Sequence, residues 1–166
     1  MTRKPVLQVS DIGAAALKGY CAQYGVRFNL LAAGENITGS FWGAPEAGII
    51  GRNLYVRDDT PVHSLLHELS HIICLPEERR KKLHTDAGSD DAEEAAVCYL
   101  QIVLGEEIAG VGKARIMRDM DTWGYSFPEG STSSWFENAS DARTWLVDKK
   151  IIDAQGQALG QLRTAS

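Results

Sequence analysis

The stretch from Thr60 to Cys74 constrains this 166-residue chain more than any other. Val62, Leu65, Leu66, Leu69, Ile72 and Ile73 recur at the three-and-four spacing that lays one apolar stripe along a helix. On the same projection His63, His67, His71 and Cys74 gather on the opposite side, with Glu68 flanking them. Thr60 suits the N-cap and Pro61 the first helical position, where a missing N–H costs nothing. An ordinary surface helix carries Lys and Glu on its outer face, but this one carries imidazoles and no Lys or Arg. Such a helix is expected to keep its back in a core and its front in a cleft.

All four histidines lie between His63 and His84. The run His67-Glu68-Leu69-Ser70-His71 reads H-E-x-x-H, which stacks two imidazoles one helical turn apart, so both rings can reach one Zn²⁺ ion. Glu68 then lies where it can take a proton from water, the chemistry of a metal-dependent peptidase. A catalytic zinc site usually has three protein ligands and one open position. A third His six residues after the second is excluded, because that position is Glu77. The other source is a glutamate from a following helix, and Ser89 to Leu100 supplies candidates. Ser89-Asp90-Asp91 has N-cap character, and acids in a first turn also favour the helix dipole. Glu93 projects beside Val97, Leu100 and Leu104, where an unpaired carboxylate is costly. Glu94 projects with Asp90 and Gln101 on the polar side. A metal cleft is also polar, so projection leaves both glutamates open.

Glu94-Ala95 followed by Cys98, then Ile102-Val103-Leu104, resembles the Glu-Ala-x-x-Phe…Leu-Leu pattern that follows H-E-x-x-H in ImmA/IrrE-type peptidases, relatives of the thermolysin-like gluzincins. A Gly-rich turn, the extended segment from Ile49 to Arg57 and a short linker before the motif helix are similar to that group as well. The resemblance covers roughly residues 38–105 and rests most on His67, Glu68, His71 and Glu94. It implies a zincin fold, with Glu94 as third ligand and Glu93 as the alternative. It also implies that an edge strand formed by Asn53, Leu54, Tyr55 and Val56 pairs with extended substrate. The chain departs from the pattern at Ser70, often Gly in the group, and lacks a proline after Leu104. Thermolysin has an Asp where Cys98 stands, so the carboxylate that orients a ligand imidazole is expected from Asp86, Asp90 or Asp91. No helix-turn-helix module is evident.

Composition excludes several other classes. A 44% hydrophobic content suffices for one core, and a net charge of −5 provides no basic field for nucleic acid. Arg79-Arg80-Lys81-Lys82 follows Glu77-Glu78 and reads as a solvated helix or loop. Thr2-Arg3-Lys4 is followed by Pro5 and only a short apolar stretch, which is not a signal peptide, and no apolar run approaches the roughly 20 residues that span a bilayer. The three cysteines, Cys21, Cys74 and Cys98, argue against a disulfide framework. They read as small buried residues, although Cys74 and Cys98 are placed to bind a metal as thiolates. The expected location is cytoplasmic, with a protein or peptide substrate, no nucleic-acid partner and no membrane contact. No feature sets an oligomeric state.

The element order predicts one α+β domain over 1–166: a small antiparallel or mixed sheet packed on the motif helix and a following ligand helix. The sheet and active-site helices are expected over 8–105, a helical part over 106–153 and a flexible tail over 154–166. Asp11 to Tyr24 reads as a helix stopped by Gly25. Val26 to Leu30 alternates as a strand. Gly39 to Gly43, a turn at Ala44–Gly48 and Ile49–Val56 suggest a hairpin. Gly112 to Trp123 reads as a helix, and Ser140 or Asn138 caps a last one. Trp123, Tyr125, Phe127, Trp135, Phe136 and Trp145 read first as an aromatic core, and alternatively as a cleft wall.

The expected function is zinc-dependent hydrolysis of a peptide bond by an intracellular regulatory protease of narrow specificity, with Glu68 as general base and His67, His71 and Glu94 as metal ligands. His63, His84, Tyr99 and Tyr125 are candidate oxyanion donors, and His63 could instead support the ligands from behind. The alternative is a zinc-binding interaction module with little or no catalysis, which would not require Glu68.

Overall fold

The computed structural model describes residues 6–164. The Thr2-Arg3-Lys4 start and the last two residues of the tail lie outside the described residues. The chain forms α1 (Val9–Ile12), α2 (Ala14–Ala22), β1 (Arg27–Leu30), β2 (Gly48–Ile50), β3 (Asn53–Val56), α3 (Val62–Cys74), α4 (Glu77–Lys81), α5 (Asp91–Glu107), α6 (Lys113–Trp123), α7 (Thr132–Asn138) and α8 (Ser140–Asp148). This is the mixed α+β order expected. The first expected helix is two, because Gly13 adopts φ 104°, a conformation open to glycine, and breaks it after Ile12.

The sheet differs from expectation, and the difference moves a functional assignment. Its order is β1-β3-β2, with β1 parallel and β2 antiparallel to β3. The segment from Ile49 to Val56 is not one strand: it folds back at Gly51-Arg52, so Ile49 pairs with Leu54. Gly39 to Gly43 is not a strand, although Ser40 bridges to Gly48. Asn53, Leu54, Tyr55 and Val56 therefore form the central strand, hydrogen-bonded on both sides, and offer no edge to a substrate. The outer edge of β2 is covered by two passing segments. Gly39 accepts from the Ile49 amide, while Thr85 donates to the Ile49 carbonyl. A side chain at Gly48 would meet the Thr38 carbonyl oxygen at 2.0 Å, so glycine permits the first of these approaches. From that edge, residues 41–46 and 85–89 leave to become the two walls of the cleft.

Helix α3 starts one residue later than expected: Pro61 is its N-cap, and Thr60 instead accepts the Arg57 amide. Leu65, Leu66, Leu69, Ile72 and Ile73 are fully buried, each contributing roughly 1.5–3 kcal/mol of apolar burial. The C-terminal end of α3 explains the basic run. Arg80 is buried rather than solvated, donating to the carbonyls of Ile72, Leu75 and Arg163. Arg163 adds its amide to the Ile73 carbonyl and its guanidinium to that of Cys74. Two arginines thus satisfy carbonyls that a helix end leaves unpaired. The tail, expected to fray from 154, is docked through Arg163, whose guanidinium also stacks 5.2 Å from the Trp145 ring centre.

Helix α5 packs along α3 and also meets α6 and α8. Asp90 caps α5 by accepting the Glu93 amide. Ser131 caps α7, a helix not among those expected, so Asn138 ends that helix and Ser140 begins α8 inside its first turn. Phe127 stacks on Trp135 and Tyr99 on Phe136, an aromatic core for the helical part. Among the described residues no helix is long and apolar enough to cross a membrane.

Candidate metal centre

Helices α3 and α5 bring the predicted residues together. His67 Nε2 lies 3.2 Å from Glu94 Oε1, and His71 Nε2 lies 3.3 Å from Glu94 Oε2. One carboxylate therefore faces both imidazoles of the H-E-x-x-H motif. Glu93 goes elsewhere. Its carboxylate receives two bonds from Arg79, at 2.9 and 3.0 Å, one from Ser89 at 2.6 Å, and has Arg163 at 3.6 Å. The apolar surroundings read from projection are real, for its side chain is 5% exposed against 45% for Glu94. Pairing with Arg79 and Arg163, absent from the projection, makes the Glu93 charge tolerable there.

The residues that orient the imidazoles are not the expected aspartates. Asp90 caps a helix, Asp86 accepts the Gly88 amide, and Asp91 sits exposed in the first turn of α5. Gln101, fully buried, performs the task for His67. Its Nε2 donates to the His63 carbonyl at 3.0 Å, which leaves Oε1 to accept the His67 Nδ1 proton at 2.7 Å. That bond places the proton on Nδ1 and turns Nε2 toward Glu94. For His71 the partner is Ser89: Oγ donates to Glu93 and takes the Nδ1 proton at 3.3 Å. A polar amide on the Glu94 side of α5 was the sequence signal for Gln101, and a serine at the helix entrance the signal for Ser89.

Burial disfavours a charge on His67, yet Tyr125, Cys98 and Glu94 outweigh it and hold the imidazole pKa well above its ordinary value. Burial likewise opposes ionisation of Glu94, but hydrogen bonds from His67 and His71 win and hold its carboxyl far below the usual range. Both shifts favour a charged His67–Glu94 pair. Burial raises the Glu68 pKa, with Glu94 and Glu46 adding to the effect and His67 and His71 opposing it. A carboxylate so raised is a better proton acceptor.

Two cavities of about 560 and 470 Å³ share Trp42, His67, Glu68 and Glu94, so a single groove crosses the centre. One arm is walled by Trp42, Pro45, Trp123 and Tyr125, the other by Phe41, Thr85, Asp86 and Ser89. Trp123 and Tyr125 thus belong to the cleft wall, unlike Phe127, Trp135 and Phe136. Trp42 and Phe41 are exposed on the rim, while Trp123 donates to Glu46 at 2.6 Å.

The other expected donors separate. His63 is buried against Trp123 and Tyr125, with neither ring nitrogen hydrogen-bonded, and burial pushes its pKa down to about 3. His84 bonds Thr85 and Tyr99 packs in the helical part, both outside the groove lining. Tyr125 remains. Gln101 Nε2 donates to its oxygen at 3.5 Å, leaving the phenol proton free for the groove.

Among the described residues, donor atoms of His67, Glu94 and Cys98 lie within 4.8 Å of one another, a group that could hold a metal ion. That set differs from the expected one in having Cys98 for His71, but His71 is tied to the same carboxylate through its second oxygen. Bonds of about 2.0–2.1 Å at a tetrahedral zinc place neighbouring donors about 3.3 Å apart. The His67–Glu94 separation of 3.2 Å fits that spacing, while His71 lies 3.3 Å from the other oxygen of the same carboxylate. No family model, curated protein or solved structure matches this chain.

Proposed function

We propose that this chain is a zinc-dependent peptidase similar to the ImmA/IrrE type, with His67, His71 and Glu94 holding the ion. The observation that carries the reading is the convergence of both motif imidazoles on the Glu94 carboxylate, at 3.2 and 3.3 Å, with Glu68 on the floor of the same groove. Zinc supplies Lewis-acid polarisation of a carbonyl and lowers the pKa of water toward ~7. Glu68 takes the proton of the attacking water and passes it to the leaving amine. Tyr125 donates its free phenol proton to the oxyanion. A groove open on both sides of the centre suits an internal peptide bond rather than a chain end. Trp42, Pro45, Trp123 and Tyr125 favour a bulky apolar side chain in one arm.

The test is metal content followed by cleavage of a mixed peptide pool read by mass spectrometry. Zinc near one per chain is expected, lost in Glu94→Gln and kept in Glu68→Gln, with cleavage lost in both. Wild-type protein with no affinity for zinc refutes the reading. Zinc retained in Glu94→Gln and lost in Glu93→Gln refutes the ligand assignment. A wild type and a Glu68→Gln variant that hold zinc equally and cleave nothing favour the zinc-binding interaction module instead.

A further inference from the structure

Helix α3 offers the centre two donors at positions i and i+4, His67 and His71. Helix α5 does the same with Glu94 and Cys98, since residues four apart share one helix face. Cys98 is 9% exposed, lines the larger cavity, and keeps its sulfur within 4.8 Å of the His67 and Glu94 donor atoms. The other cysteines are placed differently: Cys21 and Cys74 are fully buried and belong to no such donor group among the described residues. The orienting function that thermolysin gives to an Asp at the Cys98 position is already performed here by Gln101. The thiol faces the donors and hydrogen-bonds the His67 side chain.

We propose that Cys98 is a fourth metal ligand, so that two i, i+4 pairs from two packed helices form a closed His67–His71–Glu94–Cys98 set in the resting protein. This rests on the metal reading above and adds a form of control to it. Thiolates bind zinc at about 2.3 Å, and coordination deprotonates the thiol. Four protein ligands characterise closed sites, whereas catalytic sites keep a position open. While the Cys98 sulfur holds the fourth position, the water that Glu68 must activate has no place. Hydrolysis requires that sulfur to withdraw into the groove.

Cobalt(II) added to metal-free protein tests this, because a thiolate ligand gives an intense near-ultraviolet charge-transfer absorption that oxygen and nitrogen ligands do not. Wild type and Cys74→Ser are expected to bind one cobalt with that absorption, and Cys98→Ala to bind cobalt without it. Zinc-loaded Cys98→Ala is expected to cleave the mixed peptide pool faster than wild type. Cobalt bound by wild type without the absorption overturns the proposal while leaving the metal reading intact. The same holds if the absorption persists in Cys98→Ala. No cobalt binding by wild type overturns both readings. Should Cys98→Ala not fold, X-ray absorption of the zinc-loaded wild type decides, with one sulfur at about 2.3 Å expected and its absence refuting the assignment.

Discussion

Replacing Gln101 by leucine separates orientation of a ligand from mere packing. Gln101 is fully buried and its amide makes three contacts: it accepts from His67 Nδ1 at 2.7 Å and donates to the His63 carbonyl at 3.0 Å and to Tyr125 at 3.5 Å. Leucine keeps most of the volume. The His63 carbonyl also has the hydrogen bond of a regular helix, so the serious loss falls on His67 Nδ1, an orphaned buried donor costing roughly 1–3 kcal/mol. Adding the lesser bond to His63, about 0.5–1.5 kcal/mol, gives a loss of about 1.5–4.5 kcal/mol in the metal-free protein. Loss of an orienting partner also lowers metal affinity, typically by about 10–100-fold. Urea unfolding measures the first quantity and competition with a chelating dye the second. Gln101→Glu serves as the control: it keeps an acceptor for His67 and loses both donations, so stability should fall while zinc affinity holds. A leucine variant that unfolds more readily but binds zinc as wild type does would refute the claim that Gln101 sets the His67 proton.

Three further outcomes are expected. Glu93→Gln should keep zinc, yet lose about 1–3 kcal/mol in urea unfolding, below the full cost of a broken buried pair because Arg79 is 41% exposed. Zinc affinity should climb as pH rises. The His67 pKa is raised, so its ring is protonated in the metal-free protein and must release that proton, while the depressed Glu94 carboxyl is already ionised. Calorimetry in buffers of differing ionisation enthalpy should register the proton release, and an affinity constant from about pH 6 to 8 counts against it. For the metal-free fold the signs are opposite. The His67 contribution is full below the ordinary imidazole value and fades as pH rises through its raised pKa; the Glu94 contribution is full above the ordinary carboxyl value and fades as pH falls. Tyr125→Phe should reduce kcat on a cleaved peptide by about 10²–10³ with little change in KM, and an unchanged kcat removes Tyr125 from oxyanion stabilisation.

What could be read from the sequence was local. The stripe on α3 and the convergence of His67 and His71 follow from helical period alone, and the α5 cap from Ser89-Asp90-Asp91. The sheet is hard to read because Gly51-Arg52-Asn53 is only a short break between two apolar segments, and because the reason for Gly48 is a backbone 8–10 residues upstream. The basic run was misread for a related reason. A guanidinium is solvated by default, and Arg80 is buried only because helix-end carbonyls of α3 and the carbonyl of Arg163, 83 residues away, need donors. Pairings at such distances leave no period in the sequence.

The adjacent glutamates follow from the same logic, for the fold gives each its own partners. Successive residues on a helix point about 100° apart, so α5 sends one carboxylate to each side of His71. Glu94 faces Nε2 at 3.3 Å. Glu93 takes the Ser89 hydroxyl proton at 2.6 Å, which turns the Ser89 lone pairs toward Nδ1. A carboxylate relayed through that hydroxyl favours the proton on Nδ1 and so leaves the Nε2 lone pair on the Glu94 side, where the proposed ion would sit. Arg79 and Arg163 hold Glu93 in place, and Arg163 also caps the last turn of α3, the helix that carries His71. One face of the cluster is therefore anchored to the fold, and the other opens to the groove. A single carboxylate could not do both, because the bonds that bury Glu93 would occupy the oxygens that Glu94 presents to the imidazoles.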